Sequence, residues 1–383
     1  MPSGQKLKIA LVFDDTLDSS DGVAQYVKGL GGWLSSRGHE VTYLVGQSKT
    51  ESWQGGKVYS LSKNLHVRWN GNRLSISILP RLGLIKKVLG SSQFDVVHVM
   101  VPYSPFMAKQ VIKRVNQGTA VIGTIHIFPA SWLSVVGSKL LKVIYGRSLK
   151  RFDQLLSVSS AAKQYGEQVF RIKSRILPNV VDVSSFSGQP AEKDNAPKVV
   201  FLGRLVKRKG CQYLIKAFAE LKNQFPDAEL VIAGNGPMRE ELEKMSRGLG
   251  VADSVKFLGY IDEKDKPALL ASADIACFPS LYGECFGIVL IEAMAAGAGV
   301  VLGGDNPGYR SVLGQHEVLL VDPKNIKAFS DRLGLLLSDK ELATDMHTWQ
   351  NQQINQYDVN VVGDQLVSIY QQAIAKRLKS RHN

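Results

Sequence analysis

Five short apolar runs, residues 8–13, 40–45, 96–100, 120–125 and 154–157, alternate with longer stretches of helical composition, and the same alternation restarts at Val199. Alternating strands and helices build a parallel sheet with helices on both faces, because each crossover helix must bury its apolar side against the sheet it has just left. The pattern predicts an α/β protein with two doubly wound, Rossmann-like parallel sheets in succession. At 383 residues the chain is long enough to give each sheet its own interior. In this reading residues 1–182 form the first domain and residues 199–363 the second. Residues 183–198, rich in Ser, Pro, Gly, Asp and Lys, form a linker. The last helix, about 364–383, is expected to pack back on the first domain. No repeat of 20 to 50 residues interrupts the scheme.

Within the second half, residues 279–297 place two carboxylates, Glu284 and Glu292, eight positions apart around a strand-to-helix turn. Residues 273–278 read as a short buried strand, Gly283 and Gly287 punctuate the turn, and residues 288–296 have helical composition up to Gly297. The amides of Gly287, Ile288 and Val289 then lie at a helix N-terminus, where orphan donors and the helix dipole both favour a phosphate. Glu292, about a turn and a half into the helix, is in reach of a vicinal diol such as ribose. Glu284, on the lip of the loop, is free to meet a second polyol. The plain alternative is a surface ion-pair face, but the two glycines interrupt any continuous helix between the carboxylates.

A second phosphate element precedes it in residues 199–210. An apolar strand runs into Gly203-Arg204, and the following loop delivers Lys209-Gly210 to an amphipathic helix. A planar guanidinium and a compact ammonium on one turn suit a diphosphate. A solvated charge run shared with Lys207 and Arg208 is the competing reading, and Gly203 and Gly210 on either side argue against it. Two cations at a leaving diphosphate remove the need for a metal, and the sequence has no Asp-x-Asp pair and no His/Cys cluster at ligand spacing. No metal site or cofactor is expected.

Together these motifs resemble the retaining nucleotide-sugar glycosyltransferases of the GT-B fold, the large family four, over nearly the whole chain. The further elements of the likeness are Asp21-Gly22-Val23, Thr124-Ile125-His126, Leu177-Pro178-Asn179-Val180-Val181-Asp182 and Ile232-Ala233-Gly234-Asn235-Gly236-Pro237. Within that group the chain resembles the phosphatidylinositol mannosyltransferases, through the 283–297 segment, Phe94-Asp95-Val96-Val97-His98 with Pro102 and Ser104-Pro105, and the basic stretch 81–87. Two departures stand out. Asp21-Gly22 replaces the usual pair of glycines, and Ile127 follows the loop His where those enzymes carry a polar residue.

The resemblance implies two Rossmann-like domains facing a cleft, with the nucleotide sugar on the second and the acceptor on the first. It implies catalytic roles for His126, Arg204, Lys209 and Glu284. Donor binding falls to Gly22, Arg204, Lys209, Gly234, Glu284, Phe286, Gly287, Ile288, Val289 and Glu292, with Gly234 bordering the nucleobase pocket. The implied reaction retains anomeric configuration, the departing phosphate accepting the proton of the acceptor hydroxyl. Mannose from GDP-mannose, transferred to a phosphatidylinositol or glycolipid acceptor, is the expected chemistry. A UDP-sugar enzyme with a soluble sugar, sugar-phosphate or polysaccharide acceptor stands as the alternative. Behind it come an epimerase or phosphorylase of similar architecture and a non-catalytic binding module, although the epimerases and phosphorylases would show other carboxylates or a cofactor Lys.

Charge points to the acceptor side. Residues 1–180 carry 24 Lys and Arg against 9 Asp and Glu, whereas residues 181–383 carry 23 against 25, so the net +13 sits in the first half. A basic domain implies an anionic partner, either a diphosphate, a membrane surface or nucleic acid. Nucleic acid is set aside because no base-reading or zinc-finger motif is present. In residues 81–89, Leu82, Ile85 and Leu89 fall at helical spacing beside Arg81, Lys86 and Lys87, and Lys139 and Lys142 lie in a second basic stretch at 132–152. These five cations are the expected membrane contacts. No run approaches the roughly 20 apolar residues of a spanning helix, and the three cysteines, Cys211, Cys277 and Cys285, are unpatterned. The expected location is cytoplasmic, peripherally attached to the inner face of the plasma membrane.

Overall fold

The computed structural model describes residues 5–19, 21–69, 72–102, 104, 106–126, 148–188 and 196–382. The chain divides into two compact units, Met1–Val180 with Val359–Asn383, and Val181–Asp358.

The strands of the first unit are β1 (Lys8–Phe13), β2 (Glu40–Val45), β3 (Ser52–Trp53), β4 (Gly56–Ser60), β5 (Lys63–Trp69), β6 (Asn72–Ile78), β7 (Val96–Val99), β8 (Ala120–Ile125), β9 (Gln154–Ser157) and β10 (Arg175–Ile176). Among the described residues eight of them form one sheet in the order β10-β9-β8-β7-β1-β2-β4-β3, parallel except at the short β3–β4 edge. Strands β1, β7 and β8 are buried almost throughout because helices cover both faces. On one face the helix Gly22–Ser36 and the C-terminal helix Val359–His382 enclose Leu11, Tyr26, Trp33, Val362 and Tyr370. On the other, the helices Leu82–Ser91 and Met107–Arg114 enclose Val12, Ile85, Val88, Val111 and Val121.

Several expectations shift in detail. The terminal helix begins at Val359 rather than about 364. Val359, Val361 and Val362 are poor helix formers by propensity, but Val359 and Val362 gain burial in the core of the first unit, and Asn360 accepts a hydrogen bond from the Trp33 indole at 2.9 Å. The linker is shorter than 183–198, because Asp182 caps a one-turn helix, Val183–Phe186, and residues 189–195 lie outside the described set. The seven-pair hairpin β5–β6 was not foreseen. Its signal was present in the alternation of Leu65, Val67 and Trp69 up to Asn70-Gly71, a pair that favours hairpin turns.

The second unit contains β11 (Lys198–Leu202), β12 (Glu229–Ala233), β13 (Val255–Gly259), β14 (Ile275–Phe278), β15 (Val300–Gly304) and β16 (Leu320–Val321), all parallel, in the order β13-β12-β11-β14-β15-β16. Strand order reverses between β11 and β14 here and between β1 and β7 in the first unit. Crevices at the carboxyl ends of strands at such reversals are where ligands bind in open α/β sheets.

Asp14 stands at the reversal in the first unit, one residue past β1. Its Oδ1 accepts from the Ala108 amide at 2.8 Å, while Oδ2 is enclosed without a partner among the described residues. Burial raises the carboxyl to about 7, the Ala108 N–H opposing this and Asp15 adding to it. A folded-state pKa above the unfolded value means that the native state binds the proton more tightly. Stability from this group is therefore full below pH 4 and lost as pH rises through 7, by on the order of 4 kcal/mol. Asp14→Asn keeps an acceptor for Ala108 but cannot ionise. Urea midpoints measured from pH 4.5 to 8 should show the variant gaining on the wild type as pH rises, and parallel curves would overturn this assignment.

Candidate active site

The two loops at the β11/β14 reversal are joined by backbone. Gly210, at φ +76°, lies so close to the other loop that a Cβ there would stand 1.9 Å from the Pro279 carbonyl oxygen. The Leu281 amide donates to the Arg208 carbonyl at 2.8 Å. Gly234, at φ +131°, is likewise required, since its Cβ would stand 1.9 Å from the Gly203 carbonyl oxygen. Its expected place beside a nucleobase thus coincides with a packing role under the first loop. The 279–287 segment is fixed from below by Asn306, whose amide donates to the Ser280 carbonyl at 2.9 Å, and by the Tyr309 hydroxyl on Ser280 Oγ at 3.2 Å.

This stapling brings charges together. Arg208 Nη1 lies 2.6 Å and Lys209 Nζ 2.9 Å from Glu284 Oε1, with all three side chains largely buried. Burial alone pushes the Glu284 carboxyl up, but Lys209 and Arg208 outweigh it and hold it at about 2. For Lys209 burial favours the neutral amine and Glu284 opposes that. On balance burial lowers the pKa of the Lys209 ammonium, whereas Glu284 stays ionised between its two cations. Arg204 is exposed on the preceding loop and contributes to the field at Lys209. The sequence reading gave Arg208 no role; it is the middle residue of a single 3₁₀ turn, Lys207–Lys209, and only that turn distinguishes it from its neighbour Lys207.

Gly287 caps the helix Ile288–Ala295 at φ +104° without any side-chain hydrogen bond to the first turn, and a Cβ there would strike the Tyr309 ring at 2.6 Å. Ile288 and Val289 follow as half-buried residues of that first turn. Phe286, expected at the donor site, has its ring buried edge-on against Tyr357, with centroids 5.5 Å apart, so its side chain packs the loop. Glu292 is buried and faces Lys266 at 3.6 Å, which also reaches Glu263 at 2.7 Å. Burial raises the Glu292 carboxyl while Lys266 pulls it down; the Lys266 ammonium, penalised by burial, is raised on balance by Glu292 and Glu263. Lys266 went unnoticed in the sequence because its partner is 26 positions away and no local pattern joins them.

In the first unit Gly22 is the exposed first residue of the helix Gly22–Ser36, and the Asp21 carboxylate already accepts from the Val23 and Ala24 amides at 3.0 Å each. His126 follows β8 directly. It is buried, its Nε2 is enclosed without a partner among the described residues, and burial lowers its pKa to about 3. Arg81, Lys86 and Lys87 are exposed around the helix Leu82–Ser91, but of the apolar stripe Leu82, Ile85 and Leu89 beside them the last two are core residues. The stripe faces inward because the sheet offers more apolar area than solvent-side neighbours do; Leu82 and Leu79 are what remain exposed. Lys139 and Lys142 lie outside the described residues.

Known proteins converge on this architecture. The family described as Glycosyltransferase Family 4 matches residues 20–185, and Glycosyl transferases group 1 matches residues 182–352. The phosphatidyl-myo-inositol mannosyltransferase of Mycolicibacterium smegmatis is 30% identical over 373 residues, 95% of this chain and 94% of its own. That of Mycobacterium tuberculosis is 29% identical over 377 residues, covering 95% of this chain and 97% of its own. Among solved structures, a glycosyltransferase from Rickettsia africae matches with a TM-score of 0.77 at 18% identity, over 96% of this chain and 99% of that one. Anabaena HepE in complex with UDP-glucose matches with a TM-score of 0.74 at 17% identity, over 97% and 99%. Identity sustained along nearly the whole length, on the GT-B fold, makes the chain a member of glycosyltransferase family four, related within it to the phosphatidyl-myo-inositol mannosyltransferases.

Proposed function

We propose that this glycosyltransferase is a retaining, metal-independent mannosyltransferase that moves mannose from GDP-mannose to a phosphatidylinositol-type lipid at the cytoplasmic face of the plasma membrane. The observation that carries the donor side is the Arg208–Glu284–Lys209 cluster beside the uncapped first turn at Gly287. One carboxylate against two cations, beside a helix start with no side-chain cap, leaves a positive surplus that suits a diphosphate. Lys209 and Arg208, with Arg204 on the adjoining loop, stabilise charge growing on the departing diphosphate in place of a metal. Both ion pairs are made at Glu284 Oε1. Its Oε2 then accepts from sugar hydroxyls, and Glu292, held by Lys266, accepts from the ribose. His126 and Gly22 serve the transfer from the first unit.

Mannose and the lipid acceptor are supported by the relatives' names. One further relative, 27% identical over 356 residues, is named as a GDP-mannose-dependent phosphatidylinositol monomannoside mannosyltransferase. Membrane attachment is supported by the excess of 24 cations over 9 anions in residues 1–180 and by exposed Arg81, Lys86 and Lys87 next to exposed Leu79 and Leu82. No helix among the described residues is long and apolar enough to cross a membrane.

Arg208→Ala and Lys209→Ala should each lower turnover roughly 100-fold in a GDP-mannose transfer assay, while Glu292→Ala should chiefly weaken GDP binding in calorimetry. Near-normal turnover in both basic variants would sink the donor site, and tighter binding of UDP than GDP would move the reading to a UDP-sugar enzyme.

Activity should persist in EDTA. Loss in chelator with recovery on adding Mg²⁺ would show that a metal carries the charge instead.

Vesicles containing anionic lipid should bind the protein, and neutral vesicles far less. Binding should fall as salt is raised towards 1 M, where the Debye length shrinks from about 8 Å to about 3 Å. Changing Arg81, Lys86 and Lys87 together to Ser should reduce vesicle binding and lipid mannosylation without altering GDP affinity. A triple variant still active on lipid at full rate would favour a soluble acceptor.

A further inference from the structure

The turn after β13 stands beside the carboxylate that the donor reading gives to the ribose. Lys266, the first residue of the short helix Lys266–Ala271, reaches Glu292 at 3.6 Å and, on the turn just before it, Glu263 at 2.7 Å. Residues 260–266 therefore border Glu292 through one shared ammonium. A diphosphate at Gly287 and a ribose at Glu292 set the direction of the nucleotide, from the start of the helix Ile288–Ala295 towards this turn. The base, carried on the ribose, comes last.

One residue of this turn is fixed by its backbone and open at its side chain. Gly259, at φ +74°, ends β13 in the left-handed region and turns the chain out of the sheet. Its carbonyl accepts from the Gly234 amide at 2.6 Å, which ties the turn to the loop after β12. With its amide oriented to satisfy both neighbours, Asn235 accepts from the Tyr260 N–H at 3.2 Å and donates to the Gly234 carbonyl at 3.3 Å. The Tyr260 side chain, by contrast, is 62% exposed, the most exposed aromatic among the described residues, and no hydrogen bond or ring contact engages it there. Single exposed apolar residues are ordinary on a protein surface. This one stands at the carboxyl end of a parallel strand, where open α/β sheets bind their ligands, and on a backbone held from two sides. A tyrosine ring offers a large flat face and has only two torsions to immobilise.

We propose that Tyr260 is a specificity-determining residue of the donor site, its ring stacking on the base of a purine nucleoside diphosphate. This rests on the nucleotide-sugar reading of the second unit. Stacking needs a π-face and no particular edge, so the ring contributes to binding of any base. The two fused rings of a purine cover more of the tyrosine than the single ring of a pyrimidine does, which makes the contact worth more to GDP than to UDP.

The test measures binding of GDP, UDP and inorganic pyrophosphate to the full-length protein by calorimetry. Tyr260→Ala should weaken GDP about tenfold, within the range of one base–aromatic stack, weaken UDP less, and leave pyrophosphate, which has no base, unchanged. Tyr260→Phe keeps the ring and should bind GDP as the wild type does. The side chain is exposed, so Tyr260→Ala removes no core packing, and its melting temperature without ligand should equal that of the wild type. Wild-type GDP affinity in Tyr260→Ala would overturn the proposal and leave the donor reading in place. So would equal losses for GDP and pyrophosphate, which would mark a disturbed turn rather than a lost stack. A wild type that binds neither nucleotide would remove the donor reading itself, and this proposal with it.

Discussion

The close approach of Gly210 to the Pro279 carbonyl is the contact on which the second unit's site depends. With the Leu281–Arg208 backbone bond, it holds two loops that are some 70 residues apart in sequence at one sheet reversal. Any side chain at position 210 would push the loops apart, and Arg208 and Lys209 would then lose Glu284. Nearly complete burial makes that loss expensive, since an enclosed carboxylate without its cations would have to take up a proton or expose itself to water. The glycine is thus an electrostatic residue by way of sterics.

The charge economy of the site follows from this geometry. Glu284 sits as a lone anion between two cations, and its contacts with Arg208 and Lys209 tie the second loop to the first. Glu292 repeats the device on a smaller scale with Lys266 and Glu263. In both cases burial and pairing act in opposite directions on the carboxyl. Two cations win at Glu284, and burial wins at Glu292, where the single ammonium is farther away.

The first unit is organised around hydrogen bonds more than charge. Tyr370 and Thr124 clamp His98 inside the core, so the C-terminal helix is tied to the strand that leads into His126. This helix is contributed by the last residues of the chain but belongs to the first unit, where Gly363 allows the Trp33 ring to approach within 2.5 Å of where a Cβ would be. Asp14 at the strand reversal shows the complementary case of a carboxyl enclosed with one backbone donor and no cation among the described residues, which leaves it poised near neutrality.

Period and punctuation in the sequence sufficed for the alternation of strands and helices, the restart at Val199, and the strand-to-helix turns that carry Arg204, Lys209, Glu284 and Glu292. These signals are local: apolar runs of strand length, glycines at turns, and charges within a few residues of them. The alternation and Asn-Gly pair of the hairpin β5–β6 are local signals of the same kind. What only the tertiary structure decided are pairings between distant segments. Arg208 rather than Lys207 meets Glu284 because a single 3₁₀ turn rotates one toward the loop and the other toward solvent. Lys266 meets Glu292, Phe286 turns inward to Tyr357, and Ile85 and Leu89 face the sheet. Helix periodicity shows that one face is apolar, but not what that face will cover. A charge's partner is likewise fixed by the path of the backbone through space, which no local pattern records.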